Sequence, residues 1–158
     1  MIEHLKKLVK KELGRLLLEE KVITEEQLEK ALDMQKEAGG FLGECLVKLG
    51  YAAEEDIVNC IMVQYGFPYL PLENYSINRE VLKLIPEDTA RKNLLIPVDK
   101  IGNILTLAMV NPLDINVVEE MEKLTGANIE IFITTSREIS KALDDNYRKS
   151  NGEEKKDG

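Results

Sequence analysis

Two stretches of this chain match at a shift of 29 residues, and that repeat constrains the fold more than any other feature. Residues 12–35 read "ELGRLLLEEKVITEEQLEKALDMQ" and residues 41–64 read "FLGECLVKLGYAAEEDIVNCIMVQ". Leu13, Gly14, Leu17, Glu25, Glu26 and Gln35 recur as Leu42, Gly43, Leu46, Glu54, Glu55 and Gln64. Leu18, Leu28 and Leu32 recur as Val47, Ile57 and Ile61. Composition alone would give about one or two identities over such a window, so the chain carries an internal repeat. Each copy reads as a helical hairpin. Gly14 and Gly43 are expected in equivalent turns.

The helix boundaries follow from local chemistry. Thr24-Glu25-Glu26-Gln27 is a capping box, and Gly39-Gly40 stops the helix it starts near Ala38. In the second copy Ala53 stands where Thr24 stands, so the helix from Ala53 to Tyr65 starts without a side-chain cap. Glu54, Glu55 and Asp56 partly offset this through the helix dipole. Ahead of the repeats, Ile2, Leu5, Leu8, Val9, Leu13, Leu16 and Leu17 recur at helical spacing, with Lys6, Lys7, Lys10 and Lys11 mostly on the other face. A helix over residues 2–20 is expected to pack on its own domain with a solvated basic face. An anionic membrane or a partner's groove are the alternatives.

The texture changes after Gly66. Pro68 and Pro71 break helix, and Tyr69–Leu72 reads as a short edge strand. "NREVLKLIPEDTARKN" reads as two short helices, and "LLIPVDKIGNILTLAMV" as a hairpin turning at Gly102-Asn103. A helix capped by Asp114 and stopped by Gly126, the strand "NIEIFITT" and a final helix from Ser136 follow. The expected fold is α+β: a helical tandem-repeat subdomain at 1–66, then an α+β subdomain at 67–148 with packed helices on a small, mostly antiparallel sheet. Residues 149–158, "KSNGEEKKDG", are expected as a solvated tail or linker.

Composition narrows the function. Lys plus Arg number 21 against 29 Asp plus Glu, a net charge of −8, which argues against nucleic acid as a partner. There is no Trp and only 5% aromatics, so stacking platforms for single strands are not expected. No apolar run reaches the length of a membrane span, and the start shows no secretory signal, so a cytoplasmic protein is expected. Cys45 and Cys60 are not spaced as a redox or metal pair, and His4 has no evident partner. There is no phosphate loop and no His-Glu-x-x-His metal motif, and nothing assembles a nucleophile, base and oxyanion site. No enzyme, no cofactor and no metal site are expected.

The tandem Leu-Gly…Gln motifs, together with "LIPEDTARK" and "NPLD", resemble the N-terminal, MshEN-type domain of type II secretion and type IV pilus assembly ATPases, over about residues 10–147. The resemblance implies a regulatory or adaptor module that docks on an inner-membrane platform protein, with a motor ATPase domain as a further partner. It implies a cytoplasmic location, peripheral at the inner membrane. Some members bind cyclic di-GMP, whose two guanosine halves would match two repeats. The residues carried over for that ligand are Leu13, Gly14, Leu17, Leu18, Leu28, Leu32 and Gln35, with Leu42, Gly43, Leu46, Val47, Gly50, Ile57, Ile61 and Gln64. Glycine would let backbone approach the ligand, the aliphatic groups would face the rings, and the two amides would hydrogen-bond. Binding members carry Arg just before Leu-Gly, where this chain has Glu12 and Phe41. A motif position that is usually Gly is Lys21 in the first copy and Gly50 in the second. The missing Arg residues favour the adaptor reading over the sensor reading. The third reading is the front piece of a longer motor ATPase.

Overall fold

The computed structural model describes residues 13–157, with side chains through Tyr147. The helix expected over residues 2–20 therefore falls outside the described residues up to Glu12, as do His4 and Glu12 themselves. The chain divides into two compact units, Met1–Gly66 and Phe67–Gly158.

The first unit holds four described helices: α1 (Leu13–Glu19), α2 (Glu25–Ala38), α3 (Leu42–Lys48) and α4 (Glu54–Tyr65). The start of α2 is the expected capping box. Thr24 Oγ1 accepts from the Gln27 amide, and Gln27 Oε1 accepts from the Thr24 amide. Ala53 caps α4 with backbone alone, ahead of Glu54, Glu55 and Asp56. Packing interleaves the two copies. The short helix α1 lies against α4, α2 lies against α3, and α3 touches both α1 and α4. Leu16, Leu17, Ile23, Ala31, Cys45, Leu46, Ile57, Val58 and Ile61 form the core between them.

Gly14 and Gly43 do not sit in turns. They occupy the second positions of α1 and α3. A Cβ on Gly14 would come within 2.9 Å of Leu28 Cδ1, and one on Gly43 within 3.4 Å of Ile57 Cγ2. Leu28 and Ile57 are matched positions of the repeat, so the glycine serves the same packing contact twice. At Gly14 an added Cβ would make Leu28 shift, and at Gly43 it would press on the Phe41 ring at 3.2 Å, so glycine keeps both contacts close despite its low helix propensity.

In the second unit, Phe67–Leu70 crosses β3 at a single parallel bridge, Tyr69 with Ile133, rather than forming an edge strand. Pro71 has no N–H to continue a ladder, and the Leu72 N–H turns instead to the Glu138 carboxylate, 2.9 Å away. The 3₁₀ turn Leu72–Asn74, α5 (Arg79–Leu82) and α6 (Glu87–Asn93) lead into β1 (Leu95–Ile101) and β2 (Ile104–Met109). These strands form the expected antiparallel hairpin, with a register shift after Pro97, which cannot donate to the ladder. Helix α7 (Ile115–Thr125), capped by Asp114 and stopped by Gly126, crosses to β3 (Asn128–Ile133). The class is α+β, and within it the sheet is mixed, ordered β1-β2-β3 with β2 and β3 parallel. Any strand returning after α7 runs in the direction of β2. It would be antiparallel only beside β1, and the outer edge of β1 already bonds the Asn78 amide through the Val98 carbonyl. Helix α8 (Ser136–Asp157) extends through the stretch expected as a tail, where Glu and Lys are good helix formers.

Candidate functional site

The candidate site lies in the first unit, where the repeat gives two backbones the same shape. Helix α1 ends with the Lys21 amide bonded to the Leu18 carbonyl and the Val22 amide to the Leu17 carbonyl. Helix α3 ends with the Gly50 amide bonded to the Val47 carbonyl and the Tyr51 amide to the Leu46 carbonyl. Each pair is a Schellman cap, and each pair is the other moved by 29 positions. The cap requires a left-handed residue, at φ +59° for Lys21 and +75° for Gly50. The first copy therefore holds a strained lysine where the second holds glycine.

These two turns border one open depression of about 600 Å³. It is lined by Lys21 and Val22 from the first turn, and by Gly50, Tyr51, Ala52, Ala53 and Asp56 from the second turn and the start of α4. Its charge is mixed, one ammonium against one carboxylate. Acid dominates nearby: burial first, then the charges of Glu20 and Asp56, raise the Cys60 thiol above its ordinary range and keep it protonated. The sequence signal for this depression was the pairing of Lys21 with Gly50. Tyr51, Ala52 and Asp56 carried none.

The carried-over residues fall into three layers. Leu17, Leu46, Ile57, Ile61 and Gly43 are buried and pack the unit from inside. Leu13, Gly14, Leu18, Leu28, Leu42 and Gln35 are half-buried. Leu32, Val47, Gly50 and Gln64 are exposed. Gly14 meets both Leu28 and Leu42, which brings motif groups of the two copies together. Gln35 donates from Nε2 to the Gly40 carbonyl at 3.1 Å. Phe41 lies over Gly43, whose added Cβ would be 3.2 Å from Phe41 Cε2. The ring fills space against α3 at the position where the resemblance calls for arginine. Arg15, Lys21 and Lys30 are the exposed cations of the first copy, Lys30 pairing with Glu26 at 3.4 Å, and Lys48 of the second pairs with Glu44 at 3.2 Å. Among the described residues no cluster of His, Cys, Asp and Glu could hold a metal ion. The surface can bind by apolar contact, amide hydrogen bonding and a few charges.

Comparison with known proteins places the chain in a family. The MshEN domain model matches residues 65–153. The type IV pilus assembly ATPase PilB of Myxococcus xanthus is 35% identical over 135 residues, which covers 85% of this chain and 24% of that protein. The chain thus spans about a quarter of that curated relative. A solved structure of MshE with cdg is 30% identical, with a TM-score of 0.72, covering 87% of this chain and all of that one. The N-terminal domain of XpsE shares the fold at a TM-score of 0.75 and 19% identity, covering 86% of this chain and 94% of that one. Among the described residues no helix is long and apolar enough to cross a membrane.

Proposed function

We propose that this chain, which belongs to the MshEN domain family, is a non-catalytic regulatory and adaptor domain that docks on an inner-membrane platform protein of a pilus or secretion system. The observation that carries the reading is the 35% identity with PilB over most of this chain but only 24% of that ATPase. The sequence without a phosphate loop fits a part that governs a motor rather than the motor itself. The domain would act on the cytoplasmic side, peripheral at the inner membrane, alongside a motor ATPase domain. The test is binding of the purified chain to the cytoplasmic part of a platform protein, with phosphate release from ATP measured in parallel. Saturable binding without ATP turnover is expected. No binding, or turnover above a buffer control in protein free of contaminating ATPases, overturns the reading.

A second reading is favoured by the matched turns and by MshE with cdg. Taking cdg as cyclic di-GMP, each copy of the repeat would receive one guanosine half. Leu18, Leu32 and Val47 would face the rings, Gln35 and Gln64 would offer amides, and Leu17, Leu46, Ile57 and Ile61 would hold this surface from beneath. Phosphate would find no arginine at Phe41 and a carboxylate at Glu12. Calorimetric titration with cyclic di-GMP decides between the readings: submicromolar affinity makes the chain a sensor.

A further inference from the structure

Glu138 is one of two buried polar residues of the described chain, 8% exposed, and nothing in the adaptor or sensor reading uses it. It stands at the third position of α8, after Thr135 in the capping position. A glutamate there ordinarily turns back to the amide of its own cap. This one reaches across more than sixty residues instead. Its carboxylate accepts from the Tyr69 hydroxyl, from the Leu72 amide at 2.9 Å and from the Thr135 hydroxyl at 3.2 Å.

The first two donors belong to the segment that opens the second unit, Phe67–Asn74. Little else fastens it. Leu72 is the single buried apolar residue among the eight. Two backbone bonds join it to β3, from the Ile133 amide to the Pro68 carbonyl at 2.9 Å and from the Leu70 amide to the Ile133 carbonyl at 3.0 Å. An exposed pair, Glu73 with Arg137 at 3.7 Å, adds little. A segment with one buried side chain and few bonds lies at the low end of local stability. Its strongest attachment is a charge-assisted set of bonds to one carboxylate.

We propose that Phe67–Asn74 is a detachable strap, which opens as one piece under the control of the Glu138 carboxylate while the sheet, α7 and α8 stay folded. Opening frees the Ile133 amide and carbonyl, so it uncovers the end of the β3 edge that the strap now covers. Closing returns Leu72 to its buried place and its amide to Glu138.

Native-state hydrogen exchange on the whole chain tests this, with Glu138→Gln, Leu72→Ala and Arg137→Ala beside the wild type. In the wild type the Leu70 and Leu72 amides should exchange through an opening nearly insensitive to denaturant. The Leu107 amide, in the central strand, should exchange only by global unfolding. Gln keeps one acceptor oxygen for three donors, so Glu138→Gln should speed Leu70 and Leu72 exchange by about tenfold or more, the loss expected for a bond to a charged group. Leu107 should change by less than about threefold under native conditions, and Leu72→Ala should reproduce the pattern. Arg137→Ala should leave all three rates unchanged. If the wild-type Leu70 and Leu72 amides follow the denaturant dependence of Leu107, the strap does not open separately and the proposal fails, whether or not the variants fold. If Arg137→Ala accelerates the strap as much as Glu138→Gln, the carboxylate is not what governs it.

Discussion

Exchanging the residues at the two Schellman caps should move stability in opposite directions. Gly50 has φ +75°, and nothing lies within 4 Å of where its Cβ would be, so Gly50→Ala adds no clash and changes only the backbone. A left-handed non-glycine residue costs roughly 1–2 kcal/mol, and the lost freedom of glycine in the unfolded chain returns roughly 0.5–1 kcal/mol, so Gly50→Ala should destabilise the first unit by about 0.5–1 kcal/mol. Lys21 already bears this cost at φ +59°. Lys21→Gly removes it but gives back roughly 0.5–1 kcal/mol through the greater freedom of glycine in the unfolded chain. The net should be a gain of about 0.5–1 kcal/mol. Urea unfolding followed by far-ultraviolet circular dichroism reads both as shifts in midpoint at unchanged slope. The lysine ammonium is exposed and its loss should not offset the gain. If Lys21→Gly destabilises, Lys21 makes a contact worth more than its backbone strain. If Gly50→Ala is neutral, the turn relaxes, and the shared backbone of the two copies is not enforced by the cap.

Three further outcomes follow from the same structure. Cyclic di-GMP should bind the wild type weakly or not at all, and the pair Glu12→Arg and Phe41→Arg should raise affinity by roughly two to four decades, at about 1.5–3 kcal/mol per bidentate contact. Glu12→Arg should contribute more because it also removes a carboxylate, and a folded double variant that ignores the ligand refutes the half-site reasoning. Ile61→Ala, at a site 1% exposed, should cost about 2–5 kcal/mol, whereas Leu32→Ala at the matched site, 40% exposed, should cost less than about half as much; equal midpoints in denaturant would refute it. Burial first, then the hydrogen bond to Glu138 and its charge, push the Tyr69 hydroxyl from 10 up to about 12. Its contribution is therefore complete below pH 10 and lost as pH rises through about 12, so Tyr69→Phe should flatten that part of the stability profile.

What could be read in advance was local. The capping box at Thr24 needs residues three apart, and the stops at Gly39, Gly66 and Gly126 need one residue each, so their sequence signals survive folding unchanged. The partner of β3 was not local. Its direction was set by the helix before it, but its neighbour depended on which edge of the hairpin was free, and Asn78 takes the other edge through Val98, twenty residues on in the chain. Tyr69–Leu72 has strand-like residues but makes a single bridge, and a carboxylate at Glu138 takes the Leu72 amide, a competitor no window around Tyr69 contains.

The candidate site shows the same division more sharply, because the repeat supplies its own control. Leu32 and Ile61 are equivalent by period and by type, yet one is 40% exposed and the other 1%. The cause is packing: α4 lies on both short helices, whereas α2 lies chiefly on α3. Periodicity reports that a face is apolar and says nothing of how many neighbours arrive to cover it. The two copies are thus alike in backbone and unlike in surface. The first offers Leu32, Arg15 and Lys21, and the second offers Val47 and Gln64. A ligand with two identical halves would meet two different half-sites, one with cations and one without an unpaired basic group at Lys48, which Glu44 holds. Affinity restored through the first copy should therefore exceed affinity restored through the second, independent of the arginine that each lacks.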